Sequence, residues 1–144
     1  MAYIKVWIHF VWTTKNHSPL LVNKEIRFNV FAHILNNARD KGIFIDQING
    51  YKEHVHCLVS LGFDQTMKDI MHLIKGESSH WINKNNICNC SFNWQDEYYA
   101  VSVSESIVDT VRKYIQNQET HHHKKTWAEE YKEFMNKFGF EKLG

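Results

Sequence analysis

The sequence predicts an α+β fold of the ferredoxin-like, split βαβ kind: an antiparallel sheet with helices packed on it and a helical tail that carries a tyrosine of interest. Three observations predict it. Strand-like and helix-like segments follow one another as strand, helix, strand, strand, helix, strand, and then helices. The two middle strands are separated by Asn49-Gly50-Tyr51, and Asn-Gly between such runs is the strongest short hairpin signal. Hydrophobic residues make up 43% and aromatics 14% of the chain, with one proline and six glycines, a composition that fills a core and argues against disorder. At 144 residues there is room for one domain, read as 1–144, and not for two ordinary ones.

The first segment, Tyr3 to Thr13, is rich in Ile, Val, Trp and Phe and is broken by Asn16-His17-Ser18-Pro19, as a strand would be. From Asn23 to Asp40, Ile26, Val30, Ile34, Leu35 and Ala38 recur at helical steps, and Lys41-Gly42 is a helix stop. Ile43 to Ile48 and Lys52 to Leu61 are the hairpin strands. Thr66 to Asn83 sets Met67, Ile70, Met71, Ile74, Ser78 and Trp81 on one helical side despite Gly76. A polar loop over Asn85 to Ser91 leads to a fourth strand from Phe92 to Ser104, in one piece or two, and Ser104 is placed to cap the next helix. That helix is expected to run unbroken from Glu105 to about Thr120, with a last amphipathic helix over Trp127 to Phe138.

A net charge of +1 neither demands nor excludes a nucleic-acid partner. Lys68, Lys75 and Lys84 on one helix, and Arg112, Lys113, Lys124 and Lys125 around another, suit either a phosphate backbone or ordinary solvated faces. The apolar stretch Val6 to Trp12 is interrupted by His9, is too short to span a bilayer and lacks a cleavage pattern, so a cytoplasmic protein with no membrane partner is expected. Three cysteines, Cys57, Cys88 and Cys90, suit a reducing compartment better than a disulfide framework.

Two constellations carry chemistry. In a strand, alternate residues share a face, so Val55, Cys57, Val59 and Leu61 lie on an apolar side while His54 and His56 project together from the other. Two imidazoles so placed can bind one metal ion, although ten histidines in the chain make a chance His-x-His unsurprising, and His121-His122-His123 is a second tract. Because that face reads as polar, replacing His56 is expected to cost little stability. The second constellation is Tyr114-Ile115-Gln116-Asn117-Gln118. On a continuous helix, residues four apart point the same way, so Tyr114 and Gln118 would stand side by side, as packing groups or as a working pair. A phenol beside a metal can attack a phosphodiester and store the broken bond as a phosphotyrosine. No phosphate-binding Gly-x-x-x-x-Gly-Lys loop is present to supply a triphosphate instead.

Taken together, His54-Val55-His56 and the later Val111-Arg112-Lys113-Tyr114-Ile115-x-Asn117-Gln118 resemble the single-tyrosine HUH transposases of small bacterial insertion sequences and their repeat-associated relatives. Thr13-Thr14-Lys15-Asn16, Gly50-Tyr51, Ile74-Lys75-Gly76-Glu77-Ser78-Ser79, Phe92-x-Trp94-Gln95-Asp96 and Ser102-Val103-Ser104 extend the likeness over nearly the whole chain. Glu97-Tyr98-Tyr99-Ala100 departs from it by lacking a glycine-containing turn. The resemblance implies a DNA transposase in which His54, His56 and Gln118 hold one divalent ion, Mg²⁺ or Mn²⁺, loosely because all three ligands are neutral. It implies Tyr114 as the nucleophile that forms a 5′-phosphotyrosine, single-stranded DNA with hairpins as the substrate, action at the nucleoid, and a homodimer in which Tyr114 of one subunit can meet the His pair of the other. No residue stands out as the base for Tyr114. The alternatives are a domesticated nuclease acting on repeated palindromes, a non-catalytic single-stranded nucleic-acid-binding module, and a structural zinc site using His54, His56, Cys88 and Cys90.

Overall fold

In the computed structural model, which describes residues 2–139, β1 (Trp7–Thr14) is the buried centre of the molecule. All eight of its residues are buried, because both of its faces are covered. Ile8, Phe10 and Trp12 enter a large apolar core, and Trp7 enters a smaller one on the opposite side. β1 pairs antiparallel with β3 (His54–Ser60) on one side and with β4 (Trp94–Val103) on the other. β2 (Phe44–Gly50) adds to β3, so the order is β2-β3-β1-β4, the split βαβ arrangement that the element order predicts.

The large core lies between the sheet and two long helices, α1 (Lys24–Asp40) and α2 (Met67–Lys84). Each begins at a side-chain cap. Asn23 accepts from the Ile26 N–H at 3.0 Å and Thr66 from the Asp69 N–H at 3.1 Å. Gly42, at φ 74°, supplies the left-handed residue that ends α1. Ser78 joins α2 to the sheet: its buried hydroxyl donates to the Ile74 carbonyl and accepts from the Trp94 indole at 2.8 Å.

The other face of the sheet carries the tail: α3 (Val108–Gln116), α4 (Gln118–Lys124) and α5 (Trp127–Phe138). Val108 and Ile115 of α3 pack on Trp7, Leu58 and Val103.

Four local expectations are corrected. The first strand starts at Trp7, since Tyr3 and Ile4 are exposed. Asn49 and Gly50 belong to β2, and the chain turns after them, with the Tyr51 N–H bonded to the His54 carbonyl. Gly50 is needed there, because a Cβ would sit 2.1 Å from the His54 oxygen. Glu97 to Ala100 lie inside β4, and the irregularity there is a shift of register against β1 between Trp12 and Thr14 rather than a turn. The helix expected over Glu105 to Thr120 is three pieces, a 3-10 turn at Glu105–Ile107 followed by α3 and α4, and the Ser104 side chain bonds Ser106 rather than capping a helix. Among the described residues no helix is long and apolar enough to cross a membrane.

Candidate active site

The two-residue period of β3 sends Val55, Cys57 and Val59 into the large core and turns His54 and His56 toward the tail helices. Their rings are 5.1 Å apart and nearly perpendicular. Both are fully buried, which corrects the expectation of an open polar face. The strand's alternation separates one face from the other but carries no word of what covers the second, and here α3 to α5 cover it.

Tyr114 and Gln118 come from different helices, because the chain breaks at Asn117 (φ −99°, ψ 25°). The break does not separate them. Gln118 Nε2 donates to the Tyr114 carbonyl at 3.3 Å, and Gln118 Oε1 lies 3.1 Å from His54 Nε2. The Tyr114 ring stands edge-on to His56, with centroids 5.4 Å apart. β2 steadies this helix end. Asn49 Nδ2 donates to the carbonyls of Ile115 and Gln116 at 3.0 and 3.2 Å, and the Arg112 guanidinium grips Asp46 through Nε and Nη2 at 2.8 and 2.9 Å.

At the centre is a residue that sequence reasoning missed. Glu130, on α5, is buried and accepts from the Tyr114 phenol at 2.6 Å. Its oxygens also lie 2.7 Å from His56 Nε2, 2.5 Å from His122 Nε2, 3.3 Å from His121 Nε2 and 3.9 Å from His54 Nε2. A signal was present: Trp127, Tyr131, Phe134 and Phe138 make an apolar stripe at helical steps, and Glu130 interrupts it. Two partners behind the histidines were missed as well. Glu53 Oε1 lies 2.7 Å from His54 Nδ1, and His9 Nε2 lies 2.9 Å from His56 Nδ1. Trp127 stacks on His54 at 4.4 Å and Tyr51 on His122 at 5.2 Å, which hold those rings in plane.

The electrostatics follow from burial and from these contacts. Burial pushes His56 down to about 4, against the opposing pull of Glu130, and pushes His9 to about 3 with help from His56. Burial works against ionisation of Glu130, but the close approach of the His122 and His56 rings, at 2.5 and 2.7 Å, outweighs it and holds the carboxyl far below its usual range. Glu53 is likewise held low, since its bond with His54 overcomes its burial. Tyr114 is raised well above an ordinary phenol, first by burial and then by the negative charge of Glu130.

The donor set fits a metal ion. His56 Nε2, His121 Nε2, His122 Nε2 and Glu130 Oε2 are buried without a hydrogen-bond partner; the short contacts to Glu130 miss hydrogen-bond angles. His54, by donating from Nδ1 to Glu53, directs the lone pair of Nε2 toward Gln118 Oε1, and a cation reconciles two facing lone pairs. Ligand atoms of His54, His122 and Glu130 all lie within 4.8 Å of one another. The presence of a carboxylate departs from the wholly neutral set expected. No cysteine belongs to this group among the described residues, and Cys88 packs against the opposite core, so the four-residue zinc site is not assembled.

The basic residues singled out above are partly spoken for. Arg112 is engaged by Asp46 and Asp109, Lys125 by Glu133, and Lys75 by the Asp96 carbonyl.

The domain is thus a four-stranded antiparallel sheet whose His-x-His strand is roofed by a tyrosine-bearing helix. The chain belongs to the IS200-like transposase family, whose sequence model matches residues 2–118. The fold recurs in a candidate transposase from Deinococcus radiodurans R1, with a TM-score of 0.65 and 21% identity over 81% of this chain and 93% of that one. It recurs also in a REP-associated tyrosine transposase bound to a REP hairpin, with a TM-score of 0.59 and 20% identity over 88% of this chain and 73% of that one. At such identities the likeness is one of fold. None of the curated proteins matches the chain. The family match ends at Gln118, so His121, His122 and Glu130 lie beyond it.

Proposed function

We propose that this transposase cuts and rejoins single-stranded DNA beside hairpins through a 5′-phosphotyrosine on Tyr114, with His54, His56 and Gln118 among the ligands of a Mg²⁺ or Mn²⁺ ion. The observation that supports this reading is the meeting of the Tyr114 phenol and the imidazoles on one buried anion, the carboxylate of Glu130. A scissile phosphodiester is also an anion, and the reaction needs it between the same groups.

In the state described, burial and Glu130 keep the phenol protonated. A divalent ion on these ligands would polarise the phosphate and offset the charge of Glu130. Tyr114 Oη bonds to phosphorus as the bond from phosphorus to the 3′-oxygen breaks, and the phenolic proton is lost while the departing oxygen gains one. The reverse reaction with another 3′-hydroxyl rejoins the strand, so no triphosphate is consumed. Glu53 and His9 keep His54 and His56 turned toward the reacting phosphate. A pure binding module would have no use for buried, unpaired imidazoles around a phenol.

The test is incubation of the protein with a single-stranded hairpin oligonucleotide and Mn²⁺. A protein–DNA species that survives a denaturing gel is expected from the native chain and not from Tyr114→Phe. An adduct of equal yield in the Phe variant contradicts the assignment of the nucleophile.

A further inference from the structure

Beside Tyr114 the tail and the sheet edge leave a cavity of about 340 Å³ between β4, α3 and α5. Tyr114 and two residues in contact with it, His9 and Glu130, are among its lining residues. Its lining is mainly apolar, with Val101, Val103 and Val111 from the sheet edge and α3 and Phe134 from α5. Phe134 is a firm wall, with its ring edge-on to His9 at 6.0 Å and in contact with Tyr99 and Phe138 at 6.2 and 4.8 Å. Beyond Tyr114, His9 and Glu130, the side chains that bring polar groups are few: Thr110, Glu133 and Lys137. The volume is at the low end of the roughly 300–1,000 Å³ of small-ligand sites, suited to one nucleoside and not to a duplex.

We propose that this cavity takes a single unpaired nucleobase, that of the nucleotide joined to Tyr114 through its 5′-phosphate. The inference rests on Tyr114 being the nucleophile, since that chemistry places the attached nucleoside one phosphate away from the phenol. An aromatic and aliphatic slot suits the flat faces of a base, and the donors and acceptors at Thr110, Glu133 and Lys137 can read its edge. The same slot offers a strand a way to a site whose imidazoles are buried, because Tyr114 and Glu130 are among its lining residues. It therefore makes the first nucleotide after the cut a determinant of sequence preference.

Thr110 and Ile107 line the cavity and are exposed, so Thr110→Phe and Ile107→Trp fill the slot from its rim without touching the core, and circular dichroism checks their folding. Two readouts apply to the full chain. In NMR titrations with the four 2′-deoxynucleoside 5′-monophosphates, resonances of Val101, Thr110 and Val111 should shift, and both variants should lose those shifts. With a pool of single-stranded oligonucleotides of random sequence and Mn²⁺, the nucleotide attached to Tyr114 should favour one base about fivefold to tenfold. That is the ratio a single hydrogen bond supplies. The bias should vanish in both variants. Adducts with no base bias, or with a bias that survives both variants, overturn the slot and leave the tyrosine chemistry standing. Nucleotide-induced shifts at the slot in a protein that never forms adducts support the slot and overturn the nucleophile. Shifts confined to other surfaces overturn the slot.

Discussion

His54 and His56 each lean on a residue behind the ring, and that dependence can be measured. Glu53 fixes the tautomer of His54 by accepting from Nδ1, so Glu53→Gln should weaken Mn²⁺ binding by about tenfold to a hundredfold. Titration followed by the fluorescence of Trp127, which stacks on His54, reports this without any DNA, and an unchanged affinity would count against His54 as a ligand. His56 is fully buried against Glu130 and His9, so His56→Ala should cost about 2–4 kcal/mol, through a cavity and a carboxylate left without its partner. A loss below about 0.5 kcal/mol in urea denaturation would restore the open-face expectation. Acid should act on the same groups. In the unfolded chain a histidine titrates near 6.5, whereas folding lowers His56 to about 4 and His9 to about 3. Between those values the unfolded state binds more protons. Stability is therefore greatest above about pH 6.5 and falls as pH drops toward about 4 and 3, by up to about 1.4 kcal/mol per pH unit for each ring. The depressed carboxyl of Glu130 adds a loss in the same direction below its ordinary range. Urea midpoints that stay level from pH 7 to pH 5 would contradict burial of these rings.

Among the elements, α3 decides whether Tyr114 is in position, and its end is tied to β2 rather than continued into a longer helix. Asn49→Ala removes two bonds to the terminal carbonyls of α3, at a cost of about 1–2 kcal/mol. It should slow single-turnover cleavage more than it weakens DNA binding, because it frees the nucleophile's helix and touches no phosphate. Equal losses in both would assign Asn49 to DNA contact instead. The break after Gln116 was not legible in advance. Ile107, Val108, Val111 and Ile115 read as one continuous stripe, and Gln116-Asn117-Gln118 contains neither glycine nor proline to mark an end. By contrast the parity of β3 was legible, since alternation is a property of a few consecutive residues. What lies opposite a strand face is a matter of tertiary packing, which explains why His54 and His56 could be paired from sequence while Glu130, His9 and His122 could not be added to them.

For the molecule as a whole, sheet order followed from the element order, because short connections and antiparallel pairing leave few ways to arrange four strands around two helices. The tail was legible as helices and not as a roof. Its folding back over the sheet brings Tyr114, His54, His56 and Gln118 together within a single chain. An assembly with sites shared between subunits is therefore not needed to complete the constellation. Mixing Tyr114→Phe with His56→Ala chains should leave cleavage absent, and recovered activity would show that α3 crosses to a second copy.

The most direct test of the central claim is where the DNA becomes attached. The native chain is incubated with a single-stranded hairpin oligonucleotide and Mn²⁺, digested with a protease and analysed by peptide mass spectrometry. The account predicts a 5′-phosphorylated nucleotide on Tyr114 and a free 3′-hydroxyl on the released strand. Attachment to any other residue, or strand cleavage that leaves no protein-linked nucleotide, would contradict it.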